Sequence, residues 1–229
     1  MTFQLIAFDM DDTLVDTFSV SVPNCVAMVQ KEYGIPIQVA DWQRPGGYRG
    51  KAGQHLLDAI EADYGVKIEL EPFLAMRHTY LFHQLHDGMH VAPGIEAVLT
   101  SLMTENRRMC VCTNSVPERA ALTLKNAITD TSIKLPDVFK QHVYSAVPTM
   151  RAKPAPDVYQ HAVQQLGVQP HETLAVEDTS SGIQAAREAG LTAVGYVGLH
   201  DDVETATADL KAAGAHHIIL YWAPWCGPY

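Results

Sequence analysis

Short runs that are apolar nearly throughout recur along this chain with helix-patterned stretches between them, and that alternation limits the fold more than any other feature. Phe3–Phe8, Met109–Thr113, His142–Ser145, Thr173–Glu177, Thr192–Gly195 and His216–Tyr221 read as strands. A strand that is apolar on both faces must be covered on both, as in a parallel sheet flanked by helices. Helical segments follow at Glu118–Ala127, Pro156–Leu166, Ser180–Ala189 and Val203–Ala213. Strand and helix in turn predict an α/β fold, a Rossmann-like, doubly wound parallel sheet.

One interval breaks the rhythm. About 100 residues separate the first strand from the second, where a strand–helix–strand unit takes roughly 30. After Pro93-Gly94, the stretch IEAVLTSLMTEN already supplies a crossover helix, so residues 17–90 are surplus. Their own amphipathic stretches, VPNCVAMVQKEY, GQHLLDAIEADY and EPFLAMRHTYLFHQL, predict a small all-helical domain inserted after strand one. The expected division is a core of residues 1–16 and 91–229 and an insert of residues 17–90. In the middle of the insert, Gly46, Gly47, Gly50 and Gly53 surround Tyr48, Arg49 and Lys51.

Charge narrows the partners. Lys and Arg number 16 against 26 Asp and Glu, a formal net charge of −10, and no basic cluster occurs. Sequence-independent binding to nucleic acid needs many cationic contacts, so no nucleic-acid partner is expected. An anionic ligand would have to be met locally, by a metal or a few placed cations. No apolar run approaches the roughly 18 to 20 residues of a membrane span. The first apolar run, Phe3–Phe8, lacks the basic flank and cleavage site of a secretory signal, so a cytoplasmic protein, monomer or dimer, is expected. Cys25, Cys110, Cys112 and Cys226 read as free thiols rather than a disulfide framework.

Chemistry concentrates where strands end. The first strand runs into Asp9-Met10-Asp11-Asp12-Thr13-Leu14-Val15-Asp16. In an open parallel sheet, ligands bind outside the carboxyl ends of the strands. Carboxylates crowded there repel unless a cation sits among them or one is protonated. Mg²⁺ takes oxygen ligands, commonly carboxylates together with substrate phosphate oxygens. An Asp-rich turn is the structural alternative. The second strand ends in Thr113-Asn114-Ser115, groups able to donate to phosphate oxygens, although Ser115 to Glu118 also fits a helix capping box. Arg151-Ala152-Lys153-Pro154 presents cations that prolines hold off a helix. A fourth strand ends in Glu177-Asp178, where Asp178 is either a ligand or an N-cap.

Taken in this order, these elements resemble the haloacid dehalogenase superfamily. Its phosphatases carry an Asp-x-Asp-x-Thr motif after strand one, a Ser or Thr after strand two, then a Lys and an acidic pair. The counterparts here are Asp9, Asp11 and Thr13, then Thr113, Lys153, and Glu177 with Asp178, so the resemblance covers residues 3–221. The helical insert is similar to the small cap of the β-phosphoglucomutase-like branch. Asp12 stands where many relatives have Gly.

The resemblance implies a Mg²⁺-dependent phosphatase acting on a small phosphorylated metabolite through an aspartyl-phosphate on Asp9. It implies Asp11 as acid and base, and Thr113, Asn114 and Lys153 as phosphate-binding groups. Asp9, the Asp11 backbone carbonyl, Glu177 and Asp178 would hold the metal, and the cap would choose the substrate. Arg49 and Lys51, read from the Gly-rich loop itself, are candidates to contact a polar or anionic substrate body, or equally solvated loop charges.

Two further readings stand beside it. A sugar-phosphate mutase shares every catalytic residue, and an idle binding protein on the same fold has no need of them. Carbon–halogen hydrolysis needs neither the second Asp nor a metal, and a phosphonate hydrolase would want a cap lysine in a context that neither Lys31 nor Lys51 offers. The terminal WAPWCGPY is similar to a thioredoxin active-site segment, but Tyr229 stands where the second Cys would be, and an irregular tail is expected.

Overall fold

The structure, a computed structural model, describes residues 3–44, 47, 48, 51 and 53–222, apart from the side chains of Gln43 and His83. Arg49 and Cys226 lie outside the described residues, as does the tail from Ala223. The chain divides into two compact units, one of residues 1–16 and 88–229, the other of residues 17–87.

The larger unit starts with β1 (Leu5–Phe8). After the second unit come β2 (Met89–His90), α5 (Ile95–Thr104), β3 (Arg108–Thr113), α6 (Pro117–Lys125), β4 (Ala127–Ile128), α7 (Leu135–Phe139) and β5 (Val143–Ser145). Then follow α8 (Asp157–Leu166), β6 (Thr173–Glu177), α9 (Ser180–Glu188), β7 (Thr192–Tyr196), α10 (Val203–Ala212) and β8 (His217–Ile219). Six strands form one parallel sheet in the order β5-β3-β1-β6-β7-β8, and β2 pairs with β4 in a separate ribbon.

Register explains the cover on one face. Ala7 is level with Cys110 and Ala175, and Ala175 with Ala193, so small side chains line up across the sheet. Leu5, two residues before Ala7, lies on the same face. These residues join one buried cluster with Val158, Tyr159 and Ala162 of α8 and Ile183 of α9. Small strand residues let the helices approach closely, and each large apolar side chain buried there contributes about 1.5–3 kcal/mol. Phe8 meets the ring of Phe139 at 6.1 Å and that of Trp222 at 5.9 Å.

The chain order reverses at β1, which lies between β3 and β6. The carboxyl ends of these three strands therefore stand side by side. Such a switch point is where an open α/β sheet binds its ligands.

The second unit consists of α1 (Phe18–Tyr33), α2 (Ala40–Gln43), α3 (Gly53–Tyr64) and α4 (Leu70–Asp87). Val29, Ile37, Leu57, Ile60 and Phe73 are central to its own core, and Trp42 meets Tyr48 edge-on at 5.1 Å. Helix α1 begins at Phe18, earlier than the amphipathic pattern from Val22 indicates, and carries Pro23 inside it. It ends on Gly34, whose φ of 67° is the left-handed conformation of a helix C-terminus.

Candidate active site

Asp9 follows β1 directly, and its backbone N–H donates to the Val176 carbonyl of β6 (2.9 Å), which sets it beside Glu177. Asp9 is only 8% exposed and Glu177 is fully buried. Between them sits the ammonium of Lys153, which is 8% exposed. Its Nζ donates to Asp9 Oδ1 (2.6 Å), Glu177 Oε1 (2.6 Å) and the Cys112 carbonyl (2.7 Å). Three protons meet three acceptors, which is all that an ammonium can do.

Asn114 aims that lysine. Its Oδ1 accepts from the Lys153 backbone N–H (2.8 Å), and its Nδ2 donates to the Lys153 carbonyl (3.4 Å). The side-chain amide expected to face a phosphate thus clips the lysine loop to the end of β3. Thr113 Oγ1 accepts from the Ser115 N–H (3.0 Å), so its hydroxyl proton remains to donate elsewhere.

Glu177 is held by one oxygen. The Tyr159 hydroxyl of α8 donates to Oε1, alongside Lys153, whereas buried Oε2 has no hydrogen-bond partner among the described residues. Space for this carboxylate requires glycine at 182, because a Cβ there would lie 1.8 Å from Oε2. Asp9, Glu177 and Asp178 each offer an oxygen within 4.8 Å of the others.

The charge is unbalanced. Burial pushes the Asp9 carboxyl up to about 8, with Lys153 pulling it down and Glu177 and Asp11 pushing it further up. Burial works against the Lys153 ammonium, but Asp9 and Glu177 overcome it and hold its pKa above the ordinary lysine value. Burial, reinforced by Glu177, also raises the Tyr159 hydroxyl, keeping it a donor. One ammonium among these buried carboxylates leaves excess negative charge, with an oxygen of Glu177 unmatched. A hard, oxygen-seeking divalent cation fits that donor set.

Asp11 takes a different environment. It lies in a turn where Leu14 N–H donates to the Met10 carbonyl (3.0 Å) and Asp12 N–H to the Val15 carbonyl (2.8 Å). Asp12 has φ of 57°, a left-handed conformation that Gly, Asn and Asp adopt most readily, which accounts for the departure at that position. The Asp11 carboxylate accepts from Ser115 Oγ (2.8 Å to Oδ2) and from Arg119 Nη2 (2.6 Å to Oδ1).

Neither helix-cap alternative, at Ser115 or at Asp178, holds in the structure. The capping box from Ser115 to Glu118 does not form: Val116 is the N-cap of α6, no side chain caps it, and the Ser115 hydroxyl goes to Asp11. Pro117 at the first helical position has no N–H to satisfy, which lessens the need for a cap. Nor is Asp178 an N-cap. Thr179 caps α9, its hydroxyl accepting from the Gly182 N–H (3.1 Å), which leaves the Asp178 carboxylate to the acidic cluster.

Arg119, Tyr159 and His200 were not foreseen. Arg119 and Tyr159 fall in the first turns of α6 and α8, where nothing local sets them apart from ordinary helix residues. His200, whose Nε2 lies 3.1 Å from the Asp178 carbonyl oxygen, gives no local signal. Lys51 donates to the Gly47 carbonyl of its own loop. Cys25, Cys110 and Cys112 are free and buried. Among the described residues, no helix is long and apolar enough to cross a membrane.

Comparison with known proteins agrees with this geometry. The sequence model of the haloacid dehalogenase-like hydrolases matches residues 3–190, and the chain belongs to that family. A phosphorylated carbohydrates phosphatase of Thermotoga maritima is 26% identical over 189 residues, covering 82% of each chain. A phosphoglycolate phosphatase of Pseudomonas putida is 29% identical over 199 residues, covering 84% of this chain and 68% of the relative. The solved structure of a haloacid dehalogenase-like protein of Agrobacterium tumefaciens superposes with a TM-score of 0.78 at 27% identity, over 95% of this chain and 93% of the other.

Proposed function

We propose that this chain is a Mg²⁺-dependent phosphatase that hydrolyses a small phosphorylated metabolite through an aspartyl-phosphate. The observation that carries the reading is the buried convergence of Asp9, Glu177 and Asp178, the first two sharing the Lys153 ammonium, at the switch point of a parallel sheet. Relatives named as phosphatases of phosphorylated carbohydrates and of phosphoglycolate support the substrate class.

Asp9 acts as nucleophile: its carboxylate oxygen attacks phosphorus and the ester oxygen departs with a proton from Asp11. Water then attacks the phosphoryl group, Asp9 leaves as carboxylate, and Asp11 takes the proton from that water. Lys153 offsets the charge of Asp9 and the phosphoryl oxygens, and Asn114 keeps it aimed. The Thr113 hydroxyl and Asn114, at the end of β3, bind phosphoryl oxygens. Asp9, Glu177, Asp178 and the Asp11 carbonyl would hold the metal, which would supply positive charge to offset that of the carboxylates and the phosphate. Substrate choice rests with the helical unit and its loop cations Arg49 and Lys51.

Rapid acid quench of enzyme mixed with [³²P]-labelled substrate and Mg²⁺ tests the reading. Label should appear on the protein, be absent from Asp9→Asn, and be absent in excess chelator. Turnover that leaves no acid-stable or base-labile label, and persists in Asp9→Asn, would overturn it.

A further inference from the structure

Asp11 is half of the proposed acid–base chemistry, yet its carboxylate reaches out of the buried cluster, with the side chain 27% exposed. Such a group has freedom to turn, and a misplacement of about 1 Å can cost roughly 100-fold in rate. What restrains it comes from one short piece of chain. Ser115 and Arg119 lie four residues apart across the start of α6, one on each oxygen of Asp11. Ser115 stands just before the N-cap Val116 and Arg119 in the first turn, so the entry into α6 places both. The same segment is continuous with Thr113 and Asn114, so the restraint on Asp11 and the proposed phosphate-binding groups form one rigid turn between β3 and α6.

Arg119 is an unusual choice if the task were only surface pairing. Its Nε is buried and has no hydrogen-bond partner among the described residues, so the guanidinium is drawn into the protein at the expense of one donor. An exposed ion pair brings about 0–1 kcal/mol and gives little reason to accept an unsatisfied buried N–H. The arrangement makes sense if the orientation of Asp11 is what is being held.

We infer that Arg119, assisted by Ser115, is a positioning residue that holds the Asp11 carboxylate for the hydrolytic half of the reaction. This rests on the phosphatase reading above. In that half, water oxygen bonds to phosphorus, the bond from phosphorus to Asp9 breaks, and the water proton passes to Asp11. Two donors, one on each oxygen, fix the direction in which Asp11 meets that water. Arg119 touches neither phosphate nor water in this scheme and acts only through Asp11.

An aryl phosphate separates this role from general damage. Nitrophenolate leaves without a proton, so formation of the aspartyl-phosphate needs little from Asp11, whereas its hydrolysis still needs a base. With p-nitrophenyl phosphate and Mg²⁺, Arg119→Gln should release about one equivalent of nitrophenolate in a burst close in rate to wild type. Steady turnover should then fall about 10- to 100-fold, with phosphoenzyme accumulating in acid quench. Arg119→Lys, which can still reach one oxygen, should recover to within about 5-fold of wild type. Ser115→Ala should show the same pattern at about 3- to 10-fold, and decides the matter if Arg119→Gln does not fold. Burst and steady rates that fall together, or a steady rate that does not fall, overturn the inference while leaving the phosphatase reading intact. A wild-type enzyme without Mg²⁺-dependent phosphoenzyme overturns that reading and this inference with it.

Discussion

The two units of this chain deal with interior polar groups in opposite ways. In the helical unit the Tyr48 hydroxyl and the Arg44 guanidinium both donate to Asp63, and the Tyr64 hydroxyl donates to Asp41 (2.8 Å). Those carboxylates are rim groups: the Arg44 and Asp63 side chains are 44% and 33% exposed. In the sheet unit the side chains of the corresponding pair, Lys153 and Glu177, are 3% and 1% exposed, with Asp9 added to it. A rim pair is complete in itself and contributes little. A buried cluster with more carboxylates than ammoniums is a poor way to stabilise a fold. Its retention at the switch point of the sheet points to a cation and an anionic substrate that complete it.

The comparison is broken most directly by removing one carboxylate from each unit. Asp9→Asn should fold and lose about 10⁴-fold or more in turnover, since an amide cannot form the phosphoryl ester. Asp63→Asn should change turnover by less than about 3-fold. Steady-state assays of both variants, with circular dichroism for the fold, check this. Activity of Asp9→Asn within about 10-fold of wild type would remove the covalent mechanism.

Removing the cations sharpens the same contrast as stability. Lys153→Met leaves Asp9 and Glu177 buried without their ammonium and should cost about 3–5 kcal/mol in the metal-free protein. Arg44→Met, at the rim, should cost under about 1 kcal/mol. Urea unfolding of the two variants gives the answer, and equal losses would mean that the buried cluster is no more strained than the rim.

Excess negative charge also predicts a pH dependence. The Asp9 carboxyl moves from an ordinary 3.8 to about 8 on folding, because burial disfavours its charge. Between these values the folded chain binds a proton that the unfolded chain has released. The Asp9 contribution to stability is therefore whole below about pH 4 and is lost as pH rises toward 8. A cation among Asp9, Glu177 and Asp178 removes that loss. Mg²⁺ should therefore raise the thermal midpoint more at pH 7.5 than at pH 6, and Asp9→Asn should flatten the metal-free dependence. A Mg²⁺ effect that is the same at both pH values would count against Asp9 as a ligand.

Much of this was legible because each strand of a helix-covered parallel sheet is a continuous apolar run in the sequence. Thr173–Glu177 coincides with β6, and the other sheet strands differ at their ends by one to three residues. Asp9, Glu177 and Asp178 stood out because carboxylates end or directly follow apolar runs, and Lys153 because Pro154 and Pro156 hold it off the next helix, where packing alone would not ask for them. The ribbon of β2 and β4, two residues each, carries no periodicity to read. The amphipathic stretch from Val22 marks only part of α1, which starts at Phe18 and runs through Pro23. Arg119 and Tyr159 were invisible for another reason. Each looks like an ordinary helix residue, and only the parallel register that sets β1, β3 and β6 side by side brings them to Asp11 and Glu177.

The smallest expected effect concerns the helical unit alone. Its Gly-rich loop carries Arg49 and Lys51, of which Lys51 spends one donor on the Gly47 carbonyl in the same loop. An ammonium that bonds its own loop is either fixing that loop or resting there until an anionic substrate group competes for it. The two possibilities differ in kinetics. A loop-fixing lysine, when replaced by Ala, alters every substrate alike. A substrate-contacting lysine leaves kcat nearly unchanged and raises KM about 5- to 20-fold for a phosphorylated sugar or sugar acid, but not for p-nitrophenyl phosphate, which lacks the second polar group. Lys51→Ala and Arg49→Ala, each assayed on both kinds of substrate, should show that selective rise. Equal changes on the two substrates would make these residues structural and remove them from the specificity proposed for the helical unit.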